Sequence, residues 1–164
     1  MITPPDVGAK RRVLVVDPDS ATRSRVVAVL NGIALRRGES IGIDEAGDGT
    51  AALALWSERR HRLVVAEIVL EGTSGLALLR RIRSEAPATG DAGMAGPTVA
   101  LGRRAGPPTP GATWVVIVSQ MARDSDRYWG LRQGANAYFG KPFADDALAN
   151  ALGRAFEEAA SHES

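Results

Sequence analysis

The stretch VLVVDPDS, residues 13–20, decides how this chain reads. Val13 to Val16 is a short apolar, largely β-branched run. Such a run suits a strand buried on both faces of a parallel sheet. Asp17-Pro18-Asp19-Ser20 then interrupts it with turn and N-cap residues. Thr22, Val26, Val29, Leu30 and Ile33 follow at helical spacing. The result is one strand–turn–helix unit, with two acidic residues at the strand's carboxyl end.

The same unit repeats along the chain. Ser40 to Ala46 alternates Ile41 and Ile43 as a second strand. Gly47 to Thr50 is a turn and cap, and Ala51 to Arg60 reads as a helix. Leu63 to Ile68 predicts a third buried strand, with Glu67 near its end. Leu76 to Glu85 predicts a helix with Leu76, Leu79 and Ile82 on one face. After a break, Trp114 to Val118 forms a fourth strand ending at Ser119. Ser125 to Gln133 is a short helix and Ala137 to Phe139 a fifth strand. Asp145 to Ala160 is a last helix carrying Leu148, Ala151, Leu152, Ala155 and Phe156 on one stripe.

The break covers residues 86–113, which are rich in Gly, Pro and Ala and lack periodicity. Loops beyond about 15 residues are uncommon inside a compact domain. The segment is expected to be a flexible insertion, or else a partner-binding one. Residues 1–10 are expected to be a flexible N-terminal tail, and 11–164 a single domain around the insertion.

Bulk properties narrow the function classes. The chain has 164 residues, 45% hydrophobic and 24% charged, which is ordinary globular composition. A net charge of +1 supplies no field for nucleic acid or an acidic membrane. The absence of cysteine excludes disulfides and thiolate chemistry. MITPPDVGAKRR lacks the apolar core of a signal peptide, and no apolar run approaches the roughly 20 residues of a membrane span. A cytoplasmic location is expected. Gly47 and Gly49 belong to no phosphate-binding fingerprint.

Five strands alternating with five helices imply an α/β fold, a doubly wound parallel sheet with helices on both faces. In such sheets the site lies beyond the strands' carboxyl ends, where strand order reverses. That rule selects Asp17, Asp19, Glu67, Ser119 and Lys141. Carboxylates suit Mg²⁺, a hard cation that prefers oxygen. A lysine and a hydroxyl can hold phosphoryl oxygens, and phosphoryl transfer needs mostly positioning and charge stabilisation.

Four stretches carry a family resemblance: VLVVDPDSATR, LVVAEIVLEGTSGLALLRRIR, VVIVSQ and DRYWGLRQGANAYFGKPF. In this order and spacing they resemble the receiver domains of response regulators, proteins of two-component signalling. The resemblance covers nearly the whole chain outside residues 1–10 and 86–113. It implies a flavodoxin-like fold with strand order 2-1-3-4-5. It makes Asp17 an acidic residue that helps to hold Mg²⁺, and Ser119 the switch hydroxyl that follows a phosphoryl group. Lys141 becomes the lysine that pairs with phosphoryl oxygens. Tyr138 becomes the aromatic that turns inward or outward with the switch. The Lys141–Pro142 bond is expected to be cis.

Two departures qualify it. Pro18 stands where the family has its second acidic residue, a direct metal ligand. Asp19, one residue on, either reaches into the pocket or caps the first helix. Glu67 stands where the family has its phospho-accepting aspartate. Mg²⁺ binding through Asp17 and Glu67 is therefore expected to be weak or absent. Two readings of Glu67 stay open. In one, the chemistry has drifted away: Glu67 points to solvent or to the water shell of Asp17, and Lys141 is free. In the other, the longer carboxylate reaches Lys141 and Ser119 and imitates part of a phosphorylated state.

Other residues are assigned more plainly. With Tyr128 and Leu131 facing the sheet, Trp129 points away and becomes an interface candidate. Trp56 and Trp114 are expected to pack. His61, His162 and the basic face of Arg80, Arg81 and Arg83 are expected to be solvated. No nucleophile–base pair argues for an enzyme, and output is expected through contact with another protein rather than through a further domain after the last helix. The expected function is a stand-alone, phosphorylation-independent signalling module. It would meet a signalling protein or a second copy through its last two helices and fifth strand. The alternative is a phosphoryl-accepting switch with an unusual, weakly metal-binding site.

Overall fold

A computed structural model describes residues 11–85 and 113–161. Five strands, β1 (Arg11–Val16), β2 (Ile41–Ala46), β3 (Leu63–Ala66), β4 (Trp114–Ser119) and β5 (Ala137–Gly140), alternate with five helices. The helices are α1 (Ser20–Arg37), α2 (Gly49–Arg59), α3 (Gly75–Ser84), α4 (Asp124–Arg132) and α5 (Asp145–Ser161). All strand pairs are parallel, in the order β2-β1-β3-β4-β5. The order reverses between β1 and β3.

The two-residue period of a strand sorts the core into two layers. Val13, Val15, Leu63, Val65, Val116 and Val118 face one side, where Leu30 of α1 and Leu148, Leu152 and Phe156 of α5 cover them. Leu14, Val16, Val64, Ala66, Val115 and Ile117 face the other, against Trp56 of α2 and Leu78, Leu79 and Ile82 of α3. Val13–Val16 of β1, all of β3 and Trp114–Val118 of β4 are apolar because neither face of the sheet's centre meets water. Truncating Leu148 or Leu152, both fully buried, to alanine would cost about 2–5 kcal/mol. Trp56 is buried and Trp114 packs against the core, as the sequence predicts.

Three expectations need correction at the amino-terminal end of the sheet. His61 is not solvated but fully buried, its Nε2 2.7 Å from Asp44 Oδ2. Burial pulls its pKa below the ordinary histidine value, against the opposing pull of Asp44. Arg83 does not lie on a solvated face. Its guanidinium forks onto the carbonyls of Gly134 (2.7 and 2.9 Å) and Thr113 (2.5 Å) and onto Asn136 Oδ1 (2.9 Å). Arg80 and Arg81 are exposed, as expected. Thr113, assigned to the insertion, belongs to the fold: its hydroxyl donates to the His61 carbonyl at 2.8 Å. The remaining expectations for residues 1–10 and 86–112, and for His162, lie outside the described residues.

Candidate switch pocket

Backbone bonds just past the strand ends bring the site together. Asp17 N–H donates to Ala46, Glu67 N–H to Val16 and Lys141 N–H to Ser119, at 2.9–3.0 Å. Each ladder therefore runs one residue beyond its strand, and four side chains meet at the switch point. β3 stops at Ala66 rather than Ile68, so Glu67 is the first residue after the strand. Gly75 packs directly beneath it, where a Cβ would lie 2.2 Å from the Glu67 carbonyl oxygen.

Glu67 is 1% exposed and points inward. Oε1 accepts from the Ser119 hydroxyl and from Ile68 N–H (2.8 Å) and Val69 N–H (3.1 Å). Oε2 lies 2.7 Å from Lys141 Nζ and accepts from Gln120 N–H at 3.3 Å. The same ammonium reaches Asp17 Oδ2 at 2.6 Å. Burial alone would raise the Glu67 pKa, but Lys141, Ser119 and Val69 N–H outweigh it and hold the carboxyl below its ordinary value. Burial would likewise lower Lys141, yet Asp17 and Glu67 keep it above its usual range. The drift geometry, with Glu67 outward and Lys141 free, is thus not the one found. The cause is the extra methylene, which carries the carboxylate to Ser119.

Ser119, fully buried, extends the network. Its hydroxyl donates to Glu67 and accepts from Met121 N–H at 3.0 Å. The Met121 carbonyl in turn accepts from the Tyr138 hydroxyl. Tyr138 is inward, the residue only 8% exposed. Pocket and Tyr138 are therefore joined through one loop, β4 to α4. Sequence reasoning named Ser119 and Tyr138 but missed the Met121 carbonyl and Gln120 N–H, because backbone groups leave no signal in residue identity. The Lys141–Pro142 bond is cis, as the resemblance implies.

Asp19 does not belong to the acidic pocket. It is exposed and caps α1, accepting from Ala21 N–H, Thr22 N–H (both 3.3 Å) and the Thr22 hydroxyl (2.7 Å). The Thr22 hydroxyl, then Ala21 N–H, hold its pKa low. Helix capping thus holds the carboxylate that follows Pro18 outside the pocket.

The donor set does not suit Mg²⁺. The ion needs a near-octahedral shell of oxygens at about 2.0–2.1 Å. Asp17 Oδ1 is engaged by Asp19 N–H at 2.9 Å and Oδ2 by Lys141. Both Glu67 oxygens are occupied, Pro18 offers no side-chain donor, and an ammonium sits between the two inward carboxylates. Among the described residues, no group of three or more acidic, His or Cys side chains is arranged to hold a metal.

Trp129 is exposed on α4, as expected, at 57%. Tyr128 does not face the sheet: it is 54% exposed, edge-on to Trp129 with centroids 6.1 Å apart. Leu131 does pack on the core. The short α4 thus presents two adjacent aromatics outward. No helix among the described residues is long and apolar enough to cross a membrane.

No family model matches the sequence. The chain is 32% identical over 132 residues to the probable transcriptional regulatory protein TcrX of Mycobacterium tuberculosis, covering 80% of this chain and 44% of that protein. It is 25% identical over 138 residues to protein PilH of Pseudomonas aeruginosa, covering 84% of this chain and 90% of that one. It spans about half the length of the first curated relatives it matches, DNA-binding response regulators named MtrA. Among solved structures, the receiver domain of the putative response regulator NarL from Mycobacterium tuberculosis superposes with a TM-score of 0.63 at 23% identity. That match covers 87% of this chain and 93% of that one. In strand order, helix placement and sequence the chain is similar to the receiver domains of response regulators.

Proposed function

We propose that this chain is a non-enzymatic signalling receiver whose own Glu67 holds it in one switch state, without a phosphoryl group. It would act by contact with another protein. The observation that carries this reading is the closure of the Glu67 carboxylate by Lys141, Ser119 and the N–H groups of Ile68, Val69 and Gln120. An aspartyl phosphate offers three oxygens and nearly two charges. Glu67 offers two oxygens and one charge, and both oxygens are already matched to donors. A carboxylate so engaged is a poor nucleophile towards phosphorus, because attack would first cost it the Lys141 and Ser119 bonds. The pocket's donors also favour the ammonium over Mg²⁺.

Output through a protein surface fits the outward pair Tyr128 and Trp129 on α4. The partner is a signalling protein or a second copy, meeting α4, β5 and α5. A net charge of +1 gives nucleic acid little purchase.

Incubation with acetyl phosphate and Mg²⁺, followed by intact-mass measurement, tests the reading. The expected spectrum has no added phosphate. A stoichiometric adduct would establish the phosphoryl-accepting alternative instead.

A further inference from the structure

Within α4, one residue without a side chain is pressed against the switch tyrosine. Gly130 is buried. A Cβ built on it would lie 2.6 Å from Tyr138 Cδ2 and 2.7 Å from Cε2. These atoms belong to a rigid ring, not to the yielding end of a long chain. Moving the ring aside would break the bond from its hydroxyl to the Met121 carbonyl at the far end. Glycine in a helix is otherwise a poor choice, since it loses more backbone freedom on folding than alanine. Gly130 has no positive φ, so α4's backbone conformation would accept a side chain there. The close contact with Tyr138 is what the glycine serves.

We propose that Gly130 is a positioning residue of the switch: its missing side chain is the seat that admits the inward ring of Tyr138. A side chain at 130 expels the ring and sets the outward state from α4, without touching Glu67, Ser119 or Lys141. The inference rests on the reading of Tyr138 as the switch element coupled to Glu67. It adds a control point on the helix that carries Tyr128 and Trp129, the two residues just before it.

The test uses the full chain labelled with 3-fluorotyrosine. Tyr128 and Tyr138 are its two tyrosines, so the fluorine spectrum carries two resonances, assigned with Tyr128→Phe. In the wild type, the Tyr138 signal should show little H₂O/D₂O solvent shift. In Gly130→Ala it should acquire a solvent shift like that of Tyr128, and the melting temperature should fall by several degrees. In a Tyr138→Ala background the same substitution should leave the melting temperature unchanged or raise it, as glycine-to-alanine does in an unobstructed helix. A ring still protected in Gly130→Ala, or the same thermal response in both backgrounds, overturns the proposal. If Gly130→Ala alone does not fold, the double variant decides: folded supports the seat, unfolded overturns it. A ring already exposed in the wild type overturns both the seat and the Glu67-held switch. Protection in both wild type and Gly130→Ala overturns the seat alone.

Discussion

Glu67 Oε2 and Lys141 Nζ lie 2.7 Å apart, one just past β3 and the other just past β5, with β4 between them in the sheet. The pair therefore closes the pocket across a strand that belongs to neither residue. Asp17 shares the same ammonium at 2.6 Å. Lys141→Met strands two buried carboxylates and should cost about 3–5 kcal/mol in urea unfolding. Glu67→Gln leaves Asp17 on the lysine and should cost less. The double variant should cost less than the two single changes together, because Glu67 is then no longer a buried charge without its lysine and only Asp17 is left stranded.

Placing an aspartate at position 67 tests the pocket from the other direction. Glu67→Asp shortens the carboxylate and should withdraw it from Ser119. Alone it should give little phosphorylation, because position 18 still lacks a carboxylate. Together with Pro18→Asp it should give a larger acetyl-phosphate adduct, by intact mass, than either change alone. An additive or absent gain would break the link between the two positions.

Arg83 is a staple at the opposite end of the sheet. Arg83→Met leaves the Gly134 and Thr113 carbonyls without their donor and should destabilise by about 2–4 kcal/mol. Arg83→Lys should recover only part of this, because an ammonium cannot fork to three acceptors in one plane. Arg81→Ala, which breaks an exposed helix pair with Glu85, should change stability by less than about 0.5 kcal/mol.

Stability should depend on pH through His61. Its folded pKa lies below the unfolded value of about 6.5, so the unfolded chain takes up the proton first as pH falls. The contribution of neutral His61 is therefore complete above about pH 6.5 and lost as pH drops through its folded pKa. Asp44 faces it directly, with Arg12 and Arg59 close to that carboxylate. Glu67 and Asp44, both held low, add a second loss below about pH 4. Urea titrations between about pH 5 and pH 8 should show the first slope in the wild type and its loss in His61→Asn.

Trp129→Ala should leave unfolding within about 0.5 kcal/mol of the wild type, since the ring is largely in water. It should weaken association with a partner or a second copy by about tenfold or more if the ring anchors that surface. Sedimentation velocity would read both association arms.

What the sequence made legible followed from local pattern. VLVV, LVVA and WVVIVS are apolar at nearly every position, and each became a central strand. Asp17, Glu67, Ser119 and Lys141 follow from the rule that sites gather at strand ends. What stayed illegible depends on partners distant in sequence. His61 is buried because Asp44, seventeen residues earlier, supplies an acceptor. Arg83 is drawn in and half-buried because Gly134 and Asn136, some fifty residues later, supply its acceptors. The orientation of Glu67 needed Ser119 and Lys141 to converge in space, and Asp19 chose its own helix over the pocket.

The shared cation has a further consequence. Positive charge in this chain is carried almost wholly by arginine: Lys10 and Lys141 are the lysines of the sequence. Amine-directed reagents therefore have two side chains to find, besides the terminal amine. Only an unprotonated amine is acylated, and Asp17 and Glu67 keep Lys141 protonated and hemmed in. Each opening of the pocket exposes it. The acylation rate at Lys141, followed by peptide mass spectrometry with Lys10 as the internal standard, becomes a clock for how often Glu67 lets go.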